Sequence, residues 1–284
     1  MTQSELEKNL QPFLICRDHT VSQQDFKVMT NEEWELLVTQ PIPENLGDFY
    51  KSEDYISHTD SKKTLIDKLY QAVRNHTLKK KLKLINSFKT ESKSLLDIGS
   101  GTGDFLITCK NNGWQVKGVE PNEKARNISL TKNLVINSSL EEIKHEKFDV
   151  ITLWHVLEHV PNLIEYITKI KSLLKDDGVL IIAVPNYKSY DAKYYKQFWA
   201  AYDVPRHVWH FSKNSIKKIF SDFNMKLEKV LPMKFDSFYV SLLSEKYKTG
   251  KMNSINAFYQ GLLSNLKAIS TKEYSSHIYI LKKH

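Results

Sequence analysis

Cysteine is nearly absent. Cys16 and Cys109 are the only two, they lie far apart, and neither belongs to a CxxC unit, so the chain has neither a disulfide framework nor a cysteine-built metal module to rely on. Arginine is scarce as well: Arg17, Arg74, Arg126 and Arg206 stand against 37 lysines. A net charge of +8 would suit a phosphate backbone, but phosphate and base forks favour the bidentate guanidinium. The basic run KKKLK at 79–83 reads instead as the solvated face of a helix, and nucleic acid is not an expected partner. No apolar run approaches the roughly 18–20 residues of a spanning helix, and the opening MTQSELEKNL has no signal-type hydrophobic region. A chain with no membrane span and a cytoplasmic address is expected. Oligomeric state is not readable.

What is present is enough apolar material, 41% of 284 residues, for one sizeable core with additions. The segment 60–88 carries Leu65, Leu69, Val73, Leu78, Leu82 and Ile85 at helical spacing. The rhythm then changes to short apolar runs: SLLDI (94–98), QVKGVE (115–120), LVIN (134–137), FDVITLW (148–154) and GVLIIAVP (178–185). Such runs are the signature of buried parallel strands, and the segments between them suit helices. MKLEKVLPMKF and SSHIYILKK add two late strands. The expectation is an α/β, doubly wound, Rossmann-like sheet of seven strands. Residues 1–60 would form an N-terminal extension with a lid, and 61–284 the main domain, with a helical insertion at about 236–270 as its cap.

SLLDIGSGTGDFL places a strand, a glycine loop and a helix start in succession. A dinucleotide loop wants G-x-G-x-x-G, yet Asp104 stands where the third glycine belongs, and Asp97 and Asp104 put carboxylates where a pyrophosphate needs positive ends. A ligand with an ammonium and a sulfonium and no phosphate suits these acids better, which points to S-adenosylmethionine. Glu120, 23 residues after Asp97 at the end of the second strand, is placed to accept from ribose hydroxyls.

The ordered set LLDIGSGTGDF, GVEPNEKA, NSSLEEI, FDVITLWHVLEHVPN and LLKDDGVLIIAVPN resembles the class I S-adenosylmethionine-dependent methyltransferases, and WAAYDVPRHVWHFS resembles a segment of their bacterial small-molecule and cell-envelope subgroup. The resemblance implies that Asp97, Gly99, Gly101 and Gly103 cradle the methionine end and Glu120 holds the ribose with Pro121 and Asn122 beside it. Ser138, Ser139 and Leu140 would border the adenine, and Leu153 and Trp154 would close the methionine side. It also implies an N-terminal zinc ribbon in many relatives, of which only Cys16 remains here.

Methyl transfer needs an aligned nucleophile and a base for its proton. His155, after the fourth strand, and His207, in DVPRHVWH, are the candidates, with Arg206, Tyr202 and Tyr55 as acceptor-binding residues and Tyr50, Tyr239 and Trp199 as further possible lining. The acceptor is expected to be a small molecule or glycan methylated on oxygen. His155, Glu158 and His159 also spell H-x-x-E-H, a zinc-peptidase pattern. That pattern needs a continuous helix, whereas this stretch follows a strand and meets Pro161. Two alternatives stay open: a metal-assisted methyltransferase acting on vicinal hydroxyls through Glu158 and His159, and a non-catalytic cofactor-binding scaffold. No metal ligand is assigned.

Overall fold

FDVITLW has no polar alternation with which to turn one face to water, so it must lie where both faces are covered. The computed structural model, which describes residues 1–50, 65–144 and 146–284, places it at the centre of the larger of two sheets. The elements run α1 (Gln3–Leu6), β1 (Gln11–Arg17), β2 (Asp25–Asn31), β3 (Leu36–Gln40), α2 (Leu65–Ile85), β4 (Ser94–Ile98), α3 (Asp104–Lys110), β5 (Gln115–Val119) and α4 (Glu123–Leu130). They continue with β6 (Phe148–Trp154), α5 (Leu163–Leu173), β7 (Leu174–Pro185), α6 (Tyr190–Tyr195), β8 (Trp209–His210), α7 (Lys213–Asp222), β9 (Met225–Pro232), α8 (Asp236–Thr249), α9 (Ser254–Thr271) and β10 (Ser276–Lys283).

The larger sheet has the order β5-β4-β6-β7-β10-β9. Its first four strands are parallel, and β10 runs antiparallel to both β7 and β9. Alternation along the buried strands feeds two cores: Leu96, Ile98, Ile151 and Leu180 face α5 through Leu163, Ile167 and Ile170, while Leu95, Val150 and Val179 pack with Ile85, Phe105 and Leu106. This is the expected doubly wound arrangement, with six strands in place of seven. LVIN contributes only a parallel bridge from Asn137 to Val119. At the sheet edge Leu134 and Ile136 turn inward while Val135 is 86% exposed.

Residues 1–50 share a second, smaller sheet with the later part of the chain. Strands β1–β3 form an antiparallel sheet completed by β8 from the far side of the chain, and Leu6, Leu36 and Val38 pack in the same core as Leu96 and Ile151. Cys16 is buried with Phe26, Val28 and Tyr202, and burial pushes its thiol up to about 12. VMTNEEWELL, where a second cysteine pair would stand, makes the β2–β3 connection. The expected lid and Tyr55 lie outside the described residues. Between β9 and β10 the chain forms the α8–α9 hairpin. Among the described residues no helix is long and apolar enough to cross a membrane.

Candidate active site

The carboxyl ends of β4, β5 and β6 meet at one edge of the sheet, where open α/β folds bind their ligands. After β4 the chain enters the glycine loop, whose three glycines all adopt positive φ. Gly99 (φ 71°) has a second reason to lack a side chain: a Cβ there would stand 2.3 Å from Val156 Cγ2. The residue after His155 thus closes directly over the loop. Gly101 N donates to Glu120 Oε2 and Asn122 N to Oε1, both at 2.9 Å. Two backbone amides therefore fix the Glu120 carboxylate, and each oxygen keeps a lone pair for a further donor. Arg126 Nη1 holds the carbonyls of Glu120 (2.8 Å) and Pro121 (2.7 Å), and Asn122 caps α4 through Ala125 N (3.0 Å). Glu120 N bonds Asn137 O at 2.9 Å. That bond brings Ser138, Ser139 and Leu140 alongside, with Ser138 bonded to Glu142 and Leu140 buried.

Asp97 lies one layer below, buried, accepting from Thr152 Oγ1 at 2.6 Å. Burial pushes its carboxyl up to about 7, against the pull of Thr152 and of the Lys81 charge. Lys81 is the residue the sequence reading misplaced. KKKLK is not wholly solvated: Lys81 Nζ sits 4.2 Å from the centre of the Trp154 ring, and burial lowers it to about 8 although Asp97 and Asp236 favour its charge. Its spacing from Leu78 and Ile85 puts it on the apolar stripe of α2, the one signal that could have found it. Asp104 is committed to Arg74, Lys132 (2.8 Å) and Thr102 (2.8 Å), tying α2 and the turn after α4 to the loop. At the end of β6, Trp154 faces this space, while the Leu153 side chain is fully buried in the core behind it and offers no surface to a ligand.

His155 follows with φ 58°, its amide bonded to Ala183 O at 2.9 Å. Both ring nitrogens meet carboxylates: Nδ1 lies 3.3 Å from Glu158 Oε1 and Nε2 3.1 Å from Asp236 Oδ2 at the start of α8. Burial alone would lower its pKa, but Asp236 and Glu158 raise it to about 10. Asp236 was not foreseen, since it comes from the far end of the chain. Glu158, 1% exposed, leaves Oε2 without a hydrogen-bond partner among the described residues, and His155 holds its carboxyl below the usual range despite burial.

Residues 157–159 form one 3-10 turn, so H-x-x-E-H is not a helical face. His155 turns to Asp236, while His159 turns to Tyr50 Oη (2.9 Å) and Arg206 O (3.2 Å). Burial and the nearby His207 pull His159 down to about 4, a neutral imidazole. His207 is buried, its Nδ1 bonded to Ala201 O at 2.8 Å, and its ring packs edge-on against His159 at 4.5 Å. Ligand atoms of Glu158, His159 and His207 all lie within 4.8 Å of one another.

The remaining acceptor candidates take structural places. Arg206 is 7% exposed and forks onto Asp203, with Nε at 3.0 Å and Nη2 on the other oxygen, so its guanidinium is already spent. Tyr202 is a core residue stacked edge-on to Trp199 (5.1 Å) and His210 (5.2 Å). Trp199 is buried with Nε1 on Asp191 at 2.8 Å, whereas Tyr239 is half exposed.

Comparison with known proteins agrees with this geometry. Residues 69–230, more than half of the chain, match the family described as a methyltransferase domain. A ubiquinone biosynthesis O-methyltransferase of Haemophilus ducreyi is 34% identical over 108 residues, covering 33% of this chain and 46% of that enzyme. The match therefore spans about half the length of such relatives, while one from Rickettsia prowazekii is 26% identical over 192 residues, 62% of this chain and 74% of that enzyme. The fold is shared with magnesium protoporphyrin IX methyltransferase of Synechocystis, solved with bound S-adenosylhomocysteine (TM-score 0.53, 15% identity, 80% of this chain and 91% of that one). The plantazolicin methyltransferase BpumL, also solved with that product, gives a TM-score of 0.51 at 14% identity over 84% of this chain and 94% of that one. Sheet order, glycine loop and family match agree: the chain belongs to the methyltransferase-domain family, with the fold of the class I S-adenosylmethionine-dependent methyltransferases.

Proposed function

We propose that the chain transfers the methyl group of S-adenosylmethionine to an oxygen of a small-molecule acceptor in the cytoplasm, with His155 receiving the acceptor's proton. The observation that carries this reading is the Glu120 carboxylate locked over the Gly101 amide, on the same sheet edge as an imidazole oriented by Glu158, with β4 between their two strands. Bound there, S-adenosylmethionine supplies a methyl group made electrophilic by its sulfonium. Glu120 would accept from the ribose hydroxyls with Pro121 and Asn122 beside it; Ser138, Ser139 and Leu140 would border the adenine. Gly99, Gly101, Gly103 and Asp97 would receive the methionine end, with Trp154 as its wall.

An imidazolium cannot take a proton, so the acceptor hydroxyl must replace Asp236 at Nε2, leaving Glu158 to orient the ring as His155 works in its neutral form. The oxygen-directed choice of acceptor follows the likeness to the ubiquinone biosynthesis O-methyltransferases. His155→Ala should leave cofactor affinity by calorimetry nearly intact and slow turnover on a phenolic or other hydroxyl acceptor by about two orders of magnitude. Unchanged turnover would remove His155 from the chemistry, and no binding of either cofactor form at millimolar concentration would favour the inert scaffold.

A second reading is favoured by Glu158 Oε2, which has no hydrogen-bond partner among the described residues and lies beside two histidines anchored through Nδ1. Imidazoles whose other nitrogen is fixed by a carbonyl are typical of metal ligands, and two nitrogens with one oxygen fit a borderline transition cation better than magnesium. Such a cation would act as a Lewis acid toward an acceptor oxygen. Metal analysis of the purified protein, and a melting shift on adding zinc or manganese that His207→Ala abolishes, would support it; activity and melting both indifferent to a chelator would dispose of it.

A further inference from the structure

Helix α9 is built inside out. Its small and polar residues Ala257, Gln260, Gly261, Ser264 and Ala268 are buried against its neighbours, with Ser237 Oγ bonded to Gly261 O at 3.0 Å and Ser264 Oγ to Asp191 Oδ1 at 2.7 Å. Its large apolar residues face out: Ile255 is 86% exposed, Phe258 62%, Leu266 51% and Ile269 58%. Positions 255, 258, 262, 266 and 269 follow the i, i+3, i+4 spacing of one stripe along the 18 residues of the helix. Met252 at the hairpin turn extends it. Scattered exposed apolar residues need no account, but a continuous stripe of this length marks an interaction surface.

The surrounding charge says what covers the stripe. From residue 234 to 272 the chain has six lysines (Lys234, Lys246, Lys248, Lys251, Lys267, Lys272), all exposed, and two acids. Neither acid is available to a partner: Asp236 is engaged by His155, and Glu245 is buried and bonded to Asn256 at 2.7 Å. The face thus offers apolar side chains and positive charge with no exposed negative group of its own. A second copy docked by two-fold symmetry would set this surface against itself, lysines toward lysines with nothing to neutralise them. An anionic lipid surface matches both components: headgroups for the lysines and the acyl boundary for the stripe. The helix does not meet the length and apolarity of a crossing span, so it would lie in the plane of the interface.

We infer that the α8–α9 hairpin docks the protein reversibly on an anionic bilayer surface. Flotation of the full chain with phosphatidylcholine vesicles, with and without about one quarter phosphatidylglycerol, tests it. Binding at least tenfold stronger to the anionic vesicles, reduced by high salt and lost at least tenfold in Ile255→Glu/Leu266→Glu, is expected. Both positions are exposed, so melting temperature and cofactor affinity should stay unchanged in that variant. Lys246→Gln/Lys251→Gln should weaken binding to anionic vesicles and leave the neutral ones unaffected. Equal binding of the wild-type protein and the double glutamate variant, or no vesicle binding, would overturn the inference. So would a dimer by light scattering that the glutamate variant converts to monomer without any vesicle binding, which would assign the face to a second copy.

Discussion

Replacing Thr152 by valine should destabilise the protein more at pH 8 than at pH 5. The substitution keeps the shape of the side chain and deletes one hydroxyl, whose hydrogen bond to Asp97 is 2.6 Å long and fully buried. Burial has raised the Asp97 carboxyl to about 7, so it is ionised at pH 8 and protonated at pH 5. A buried bond to a charged group is worth about 1.5–3 kcal/mol and a neutral one about 1 kcal/mol. The loss should therefore be larger by about 1 kcal/mol at the higher pH. The sign follows from linkage. An acid whose pKa is higher in the folded state than in the unfolded chain costs stability as pH rises from the unfolded value toward the folded one, and the cost is constant above it. Removing Thr152 pushes the folded value further up, by about one for each 1.4 kcal/mol, which deepens the cost only where the carboxylate is charged. Urea unfolding at the two pH values measures it. Equal losses, or a larger loss at pH 5, would refute the assignment of a charged Asp97 held by Thr152. The same variant should bind S-adenosylmethionine about threefold more weakly near pH 7, because its cation would face a carboxyl that is more often neutral.

Gly99→Ala should lower stability by about 1–3 kcal/mol through strain at positive φ, and more through the approach to Val156. Adding Val156→Ala should restore the steric part alone, read by thermal melting; full recovery would show that φ imposes no cost. Arg206→Ala should destabilise by about 3–5 kcal/mol, because it strands the Asp203 carboxylate in a largely buried pair. Its effect should appear in unfolding and not in the acceptor KM; a KM raised tenfold in a stably folded variant would return Arg206 to the acceptor site.

Much of the fold was legible because its determinants are local. SLLDI and FDVITLW are uniformly apolar and can only be buried strands, and the glycines between strand and helix fix a loop whose positive φ other residues resist. Glu120 was legible for a related reason: the end of one parallel strand lies beside the loop after its neighbour, a distance set by the sheet. LVIN was misjudged because propensity cannot tell a strand with two neighbours from an edge segment with one. The burial of Tyr202 against Trp199 and the pairing of Arg206 with Asp203 were not legible, because aromatic and cationic types serve equally well in a core or at a ligand.

The amino-acid order by itself determined the alternating strands and helices, the glycine loop, the acid at the end of the second strand and the place of His155 after the fourth, each a matter of a few consecutive residues and backbone geometry. Tertiary structure alone decided which charges meet. Lys81 from an early helix reaches Asp97 and Trp154, Asp236 from a late one reaches His155, and His207 joins Glu158 and His159. Electrostatic partners are chosen by distance through space, and residues 81 apart or 49 apart in the chain carry no periodic signal of the encounter.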